Sequence, residues 1–382
     1  MRLQGRLLVN GSLRTGTIDF EDGIIRELAF DEPAWDEGSL PIIAPGLIDL
    51  HIHGFGSCDP LQDLDGMARA LARHGTTGFL PTLFPAQPAR LGSQCESVDL
   101  AASGKQEGLA SPLGLHLEGP FVNPASAGAL PLDCLATPSL QALREVVGSS
   151  SAGGRGIRTI TLAPELPGCM DLVRELQTLG IRVSLGHSLA NATEARAAAR
   201  AGAVGVTHLY NAMSGIHHRN MGLAGIALTE DVLFAEIIGD LVHVEREAFE
   251  LALAARGPQG LCLVSDALSG AGTGCDHFHS YGREHLIQNG AAYYPADSNH
   301  PQPRLAGSAL SQLEMVQRLC AQGVVDVADA LTMASSTPAR ALGLESERGH
   351  LSVGARADLI VLAPQDLALR QVYVAGAEVR GA

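Results

Sequence analysis

The sequence predicts an α/β protein: a (β/α)8 barrel with a small β-sandwich domain built from both termini. Three observations carry this. Eight apolar, β-rich runs recur through the middle of the chain. Amphipathic helical stretches fall between several of them. Strand-rich segments of about forty residues flank this middle on both sides.

The N-terminal segment reads as short strands joined by turns: RLLVNG, GTIDFEDG and IIRELAF. The eight runs then follow. They are LIDLHIHG (47–54), TGFLPTL (77–83), LGLHLEG (113–119), RTITLAP (158–164), RVSLGHS (182–188), GVTHLYN (205–211), FAEIIGD (234–240) and LCLVSDA (261–267). The helical stretches are DLDGMARALARHG, DLVRELQTLG, NATEARAAARAG and EREAFELALAARG. Between the eighth run and the last helices, 270–306 reads as irregular, with a small hairpin at GREHLIQNGAAYYPA. Its histidines, His277, His279, His285 and His300, read as polar loop residues, because no strand fixes their geometry.

The chain closes on strands again, GHLSVGARADLIVLAP and QVYVAGAEV. Neither end is long enough to bury a core alone. Residues 1–45 and 345–382 are therefore expected to combine beside a barrel of residues 46–344. The rival is a doubly wound open sheet. No Gly-x-Gly-x-x-Gly follows the first run, so a dinucleotide site has no support.

With 382 residues, 46% hydrophobic and 18% charged, the chain has ample material for a large core. A formal charge of -15 argues against nucleic acid and anionic membrane as partners, though not against a small anionic substrate. The seven cysteines are scattered and form no C-x-x-C, which fits a reducing cytoplasm rather than a disulfide framework or zinc–thiolate site. No signal peptide or membrane span is expected, and the location expected is cytoplasmic.

The chemistry lies in where the polar residues fall. His51 and His53 end the first run, Glu118 the third, His187 the fifth, His208 the sixth and Asp266 the eighth. Barrel active sites collect at the C-terminal ends of strands, so these six residues should converge on one mouth. A lone His-x-His is a weak signal, but burying the whole set without an ion would be prohibitive. Histidine and carboxylate donors suit a divalent metal, which lowers the pKa of a bound water to about 7 and polarises a carbonyl. Asp266 is the candidate for moving that water's proton, and Glu118 reads as a ligand. His116, two residues before Glu118, reads as a packed barrel residue. Asn211, Ala212, Arg219 and His243 lie where an anionic group of the substrate could be read.

At this point a resemblance becomes visible. PGLIDLHIHG, HLEGPFVNP, LGHS, THLYNAM, SDA, LAGSAL and TPARALG together resemble the N-acetylglucosamine-6-phosphate deacetylase family of the amidohydrolase superfamily. The resemblance implies removal of the acetyl group from an N-acetyl amino sugar 6-phosphate. It implies Glu118, His187 and His208 as metal ligands, His51 and His53 as ligands of a second ion, and Asp266 as general base and then acid. The cofactor implied is Zn2+, with Fe2+ or another divalent ion as alternatives, one or two per chain. Asn211, the Ala212 backbone, Arg219 and His243 match the phosphate-binding positions, with one contact supplied across a homodimer interface. Two departures stand out. Leu130, in Gly128-Ala129-Leu130, replaces a histidine that contacts substrate, and 270–306 lacks the usual short pattern. The alternatives are an amidohydrolase for another N-acyl or cyclic amide, and a non-catalytic barrel scaffold.

Overall fold

The computed structural model describes residues 1–31, 37–103, 108–148, 156–298 and 300–381. Eight parallel strands form the barrel: Leu47–Ile52, Thr76–Leu83, Leu115–Glu118, Ile157–Leu162, Arg182–Leu185, Ala203–Val206, Phe234–Ile238 and Leu261–Val264. They follow one another in sequence order around the sheet. Strands buried on both faces read as near-continuous apolar runs, which is why each was visible in the sequence. The ring closes between its first and last members. Asp266 N–H donates to His51 O at 2.8 Å, and His53 N–H to Ala267 O at 2.9 Å. Gln312 seals the seam from outside, its Nε2 donating to Ile48 O at 2.9 Å and Leu263 O at 2.7 Å.

The four expected helices are present as Leu64–Arg73, Cys169–Thr178, Ala192–Ala201 and Arg246–Arg256. Asp63, Asn191 and other short polar residues accept the first free backbone N–H groups. Further helices at Pro88–Ala102 and Leu140–Val147 supply the crossovers after the second and third strands. Inside the barrel, below its C-terminal mouth, the filling is polar. His116 Nε2 meets Thr161 Oγ1 at 2.8 Å, which meets Thr207 Oγ1 at 2.7 Å, which meets Ser184 Oγ at 2.7 Å.

Both termini build one seven-stranded sheet. Its central strands are Arg2–Val9 and Ile42–Pro45; Ser12–Glu21 and Ile24–Phe30 lie on one side, and Leu359–Leu362, Leu369–Val374 and Ala377–Glu378 on the other. Within GHLSVGARADLIVLAP only Leu359–Leu362 is strand. The sheet rolls over itself. Phe20 and Tyr373 stand on strands four positions apart, which in a flat sheet means about 19 Å, yet their ring centroids are 5.1 Å apart. That roll gives the two facing layers of a sandwich without a second sheet. Leu7, Ile18, Ile43, Leu359 and Val361 fill the space between them.

The segment after the eighth strand corrects an expectation. It is a four-stranded antiparallel sheet of His277–Ser280, Arg283–Gln288, Ala291–Tyr294 and Arg304–Ser308. The hairpin foreseen at GREHLIQNGAAYYPA is its middle pair. His277, His279 and His285 are strand residues rather than loop residues, and His285 is buried, stacked on Phe278. Only His300 lies outside a strand, beside Asp297.

Candidate metal centre

The residues that end the barrel strands meet at one point. Three of them, His187, His208 and Asp266, hold positive φ angles of 47°, 30° and 49°. Non-glycine residues rarely adopt that region, and such strain collects at functional sites. Here it turns each side chain out of the strand and across the barrel mouth.

Glu118 is the hub. Its Oε1 lies 2.9 Å from His187 Nε2 and 3.0 Å from His208 Nε2, and those two nitrogens are themselves 3.0 Å apart. Its Oε2 faces His53 Nε2 at 3.4 Å. On that side His51 Nε2 and His53 Nε2 approach to 3.2 Å, and each lies 3.5 Å from Asp266 Oδ1. Among the described residues, His51–His53–Asp266 and Glu118–His187–His208 are two groups whose ligand atoms could close on an ion. Glu118 touches both.

The tautomers test whether a cation fits. His187 Nδ1 lies 3.0 Å from the carbonyl of Ser126, which can only accept, so Nδ1 carries the proton. In the neutral ring Nε2 is then bare, and it faces a carboxylate. His51 repeats the arrangement, with Nδ1 on Glu236 Oε2 at 3.0 Å and Nε2 turned inward. Lone pairs facing lone pairs are repulsive without a positive charge between them. Donor atoms 2.9–3.6 Å apart bracket the ~3.4 Å separation of neighbouring ligands around a tetrahedral ion. The residues fit a divalent metal.

A third group, His51–His116–Glu236, has the right atom types but no free donor on His116. Its Nδ1 pairs with Leu50 O at 2.9 Å and its Nε2 with Thr161. His116 is thus a packed barrel residue, as the sequence suggested. Burial pushes its pKa down to about 4.

The electrostatics separate the two carboxylates. Burial would raise Glu118, but its close contacts with His187, His208 and His53, which favour the ionised form as a cation there would, hold it well below the ordinary carboxylate range. Asp266 is pushed up to about 8, first by desolvation and then by the charge of Glu118. One carboxyl is held ionised and the other near neutrality, the division of labour expected of a ligand and a proton carrier.

A cavity of about 190 Å³ opens over these atoms, lined by His53, Glu118, His187, His208 and Asp266 and, further out, by Asn211, Ala212 and His243. His243 Nδ1 donates to Asp240 Oδ2 at 2.6 Å, which fixes the ring and leaves its other nitrogen available. Leu130 is on the wall, packed on Val122 and Ala127. Arg219 is not brought in: it is exposed on the loop after the sixth strand, outside the residues lining the cavity.

Several residues of the site escaped sequence reasoning. Phe84 stacks on the His53 ring at 3.8 Å, tilted by only 4°. Tyr281, from the four-stranded sheet, donates to His53 O at 3.1 Å and meets Phe84 edge-on at 4.7 Å. Glu236 stands behind His51. Its signal was present in the sequence, a carboxylate in the otherwise apolar run FAEIIGD.

Comparison with known proteins places this geometry. The model of the amidohydrolase family matches residues 42–379. The N-acetylglucosamine-6-phosphate deacetylase of Bos taurus is 36% identical over 88% of this chain and 82% of its own length. The N-acetylgalactosamine-6-phosphate deacetylase of Escherichia coli O157:H7 is 30% identical over 98% of both. Among solved structures, an Asp-to-Ala mutant of the Mycobacterium smegmatis N-acetyl-D-glucosamine-6-phosphate deacetylase, in complex with N-acetyl-D-glucosamine-6-phosphate, superposes with a TM-score of 0.87. It is 27% identical and covers 99% of each chain.

Proposed function

The chain belongs to the N-acetylglucosamine-6-phosphate deacetylase family of the amidohydrolases, and from that premise we propose that it hydrolyses the acetamide of an N-acetyl amino sugar 6-phosphate. The products are acetate and the amino sugar phosphate. It is a metal-dependent amide hydrolase. The observation that carries the reading is the closing of His187 Nε2, left bare by the Ser126 carbonyl on Nδ1, and of His208 Nε2 on the Glu118 carboxylate beneath a cavity.

Glu118, His187 and His208 would hold one divalent ion, and His51 and His53 a second. When bound, such an ion lowers the pKa of water beside it and polarises the amide carbonyl. Zn2+ suits the nitrogen and carboxylate donors, with Fe2+ as the alternative. Asp266 moves the proton. Its carboxylate takes it from the attacking water and, as the tetrahedral carbon collapses, gives it to the leaving nitrogen. A pKa raised towards neutrality suits both halves of that task, and a divalent charge nearby keeps the ionised form populated. His243, held by Asp240, and Asn211 with the Ala212 backbone bind the phosphate from the sixth- and seventh-strand side. Arg219, exposed in one copy, completes that site in a neighbouring copy of a homodimer. Residues 1–45 with 345–382 form a unit separate from the catalytic barrel, and the enzyme works in the cytoplasm. Among the described residues, no helix is long and apolar enough to cross a membrane.

Metal analysis coupled to an acetate-release assay tests the reading. N-acetylglucosamine 6-phosphate, N-acetylgalactosamine 6-phosphate and their unphosphorylated sugars are the panel. Metal-loaded protein that releases acetate from neither phosphate sinks the substrate assignment. Preference for an unphosphorylated amide would favour a different amide as substrate, the reading to which Leu130 on the cavity wall lends support.

A further inference from the structure

The two-ion reading above leaves Glu236, a buried acid beside a proposed ligand, unused. Glu236 lies in the seventh barrel strand, 6% exposed, among Phe234, Ala235, Ile237 and Ile238. A carboxylate in such a place is destabilising unless it is paired. Its Oε2 stands 3.0 Å from His51 Nδ1 and 3.4 Å from the backbone N of His208.

We infer that Glu236 is a positioning residue for the second ion. By accepting the Nδ1 proton of His51 it keeps Nε2 bare and turned towards His53 and Asp266, and so sets how tightly that ion is held. The inference rests on the reading that His51 and His53 form an ion site of their own.

Other uses of Glu236 are closed by its neighbours. It does not line the cavity, so it acts through His51 and not on substrate. It does not complete a third ion site, because both nitrogens of His116 are engaged by Leu50 O and Thr161 Oγ1. The histidines of the centre are also supported unequally. His187 leans on a neutral backbone carbonyl of Ser126, while the Nδ1 atoms of His53 and His208 have no partner among the described residues. His51 alone rests on a carboxylate. A carboxylate behind an imidazole fixes its tautomer and raises its basicity as a ligand, and losing such a partner typically weakens metal binding 10–100-fold. The benefit falls on the ion that His51 faces, and not on the one between Glu118, His187 and His208.

The test is stepwise Zn2+ titration of chelator-stripped full-length protein by calorimetry, with zinc per chain measured independently, on wild type, E236Q and E236L. Wild type should take two ions. E236L removes the acceptor and should hold the first ion with unchanged affinity and the second about 100-fold more weakly. E236Q keeps an oxygen for Nδ1–H without the charge and should weaken the second ion about tenfold. A purely structural role would weaken both ions together or neither. Unchanged second-ion affinity in E236Q and E236L overturns the role of Glu236; if E236L does not fold, the isosteric E236Q decides by itself. Wild type that saturates at one ion overturns the inference by removing its site. Acetate release by that one-ion protein would leave the deacetylase reading standing, which separates the two failures.

Discussion

At the scale of single residues, charge placement controls the site. Asp266 and Glu118 are both buried carboxyls at strand ends, yet burial dominates one and histidine contacts dominate the other. Asp266→Asn keeps the shape and removes the base. It should leave zinc content unchanged and lower acetate release by about 10²–10⁴-fold; turnover near wild type would refute the assignment. Asp240 offers a pH prediction. Its burial is the largest influence and raises the pKa, but the hydrogen bond and charge of His243 with the backbone N–H groups of His243 and Val242 together outweigh it, and the carboxyl titrates below its ordinary value. A depressed folded pKa stabilises the protein above the unfolded value near 3.9, and that contribution is lost as pH falls through the folded one. Asp240→Asn should therefore lose about 1–3 kcal/mol at pH 7 and less at pH 3, where the contribution has begun to fall, read by urea unfolding at both. Equal losses at the two pH values would show that the charge is not what matters. The six strand-end residues were legible in the sequence because barrel topology alone brings strand ends together. Glu236 was not, because its partner His51 is 185 residues away and only register places the two side by side.

At the scale of elements, legibility followed burial. The barrel strands announced themselves as apolar runs, whereas His277–Ser280 and Arg283–Gln288 present mostly polar, half-exposed side chains with little alternation. The helix Pro88–Ala102 was missed for a related reason. Its sequence, PARLGSQCESVDLAA, mixes Gly, Ser and Gln into the repeat and buries only Leu91, Gly92, Cys95 and Val98. The four-stranded sheet nonetheless reaches the metal centre through Tyr281. Tyr281→Ala removes the hydrogen bond to His53 O and the edge contact with Phe84. Emptying a fully buried aromatic site costs about 3–5 kcal/mol, and the half-buried Tyr281 should cost less. Amide exchange across residues 277–308 should accelerate far more than across the barrel strands, with KM rising. Uniform exchange in both regions would show that this sheet is not anchored there.

At the scale of the whole molecule, the proposed function divides the barrel mouth into a metal half and a phosphate half, and Arg219 is the piece that one copy does not bring to its own cavity. If a neighbouring copy supplies it, defects should complement. Arg219→Ala and Asp266→Asn proteins, each weak alone, should regain activity when co-expressed, to about half of wild type in the purified mixed dimer, because one site of each mixed dimer carries neither defect. No recovery in a verified mixed dimer would place Arg219 outside the active site.

The rolled terminal sheet sets the order in which the protein can be made. Ile42–Pro45 leaves the ribosome about 300 residues before its antiparallel partner Leu359–Leu362, with Pro45 opposite Leu359. Until that partner emerges, one edge of Ile42–Pro45 offers unpaired backbone groups and the apolar faces of Ile42 and Ile43 to whatever is nearby. The barrel can assemble strand by strand during synthesis, but this sheet cannot finish until Leu359–Leu362 and the strands after it are out. During that interval the nascent protein has most need of a chaperone, and a message broken between the codons for Leu342 and Leu359 would yield a barrel with a sticky edge instead of a shorter enzyme.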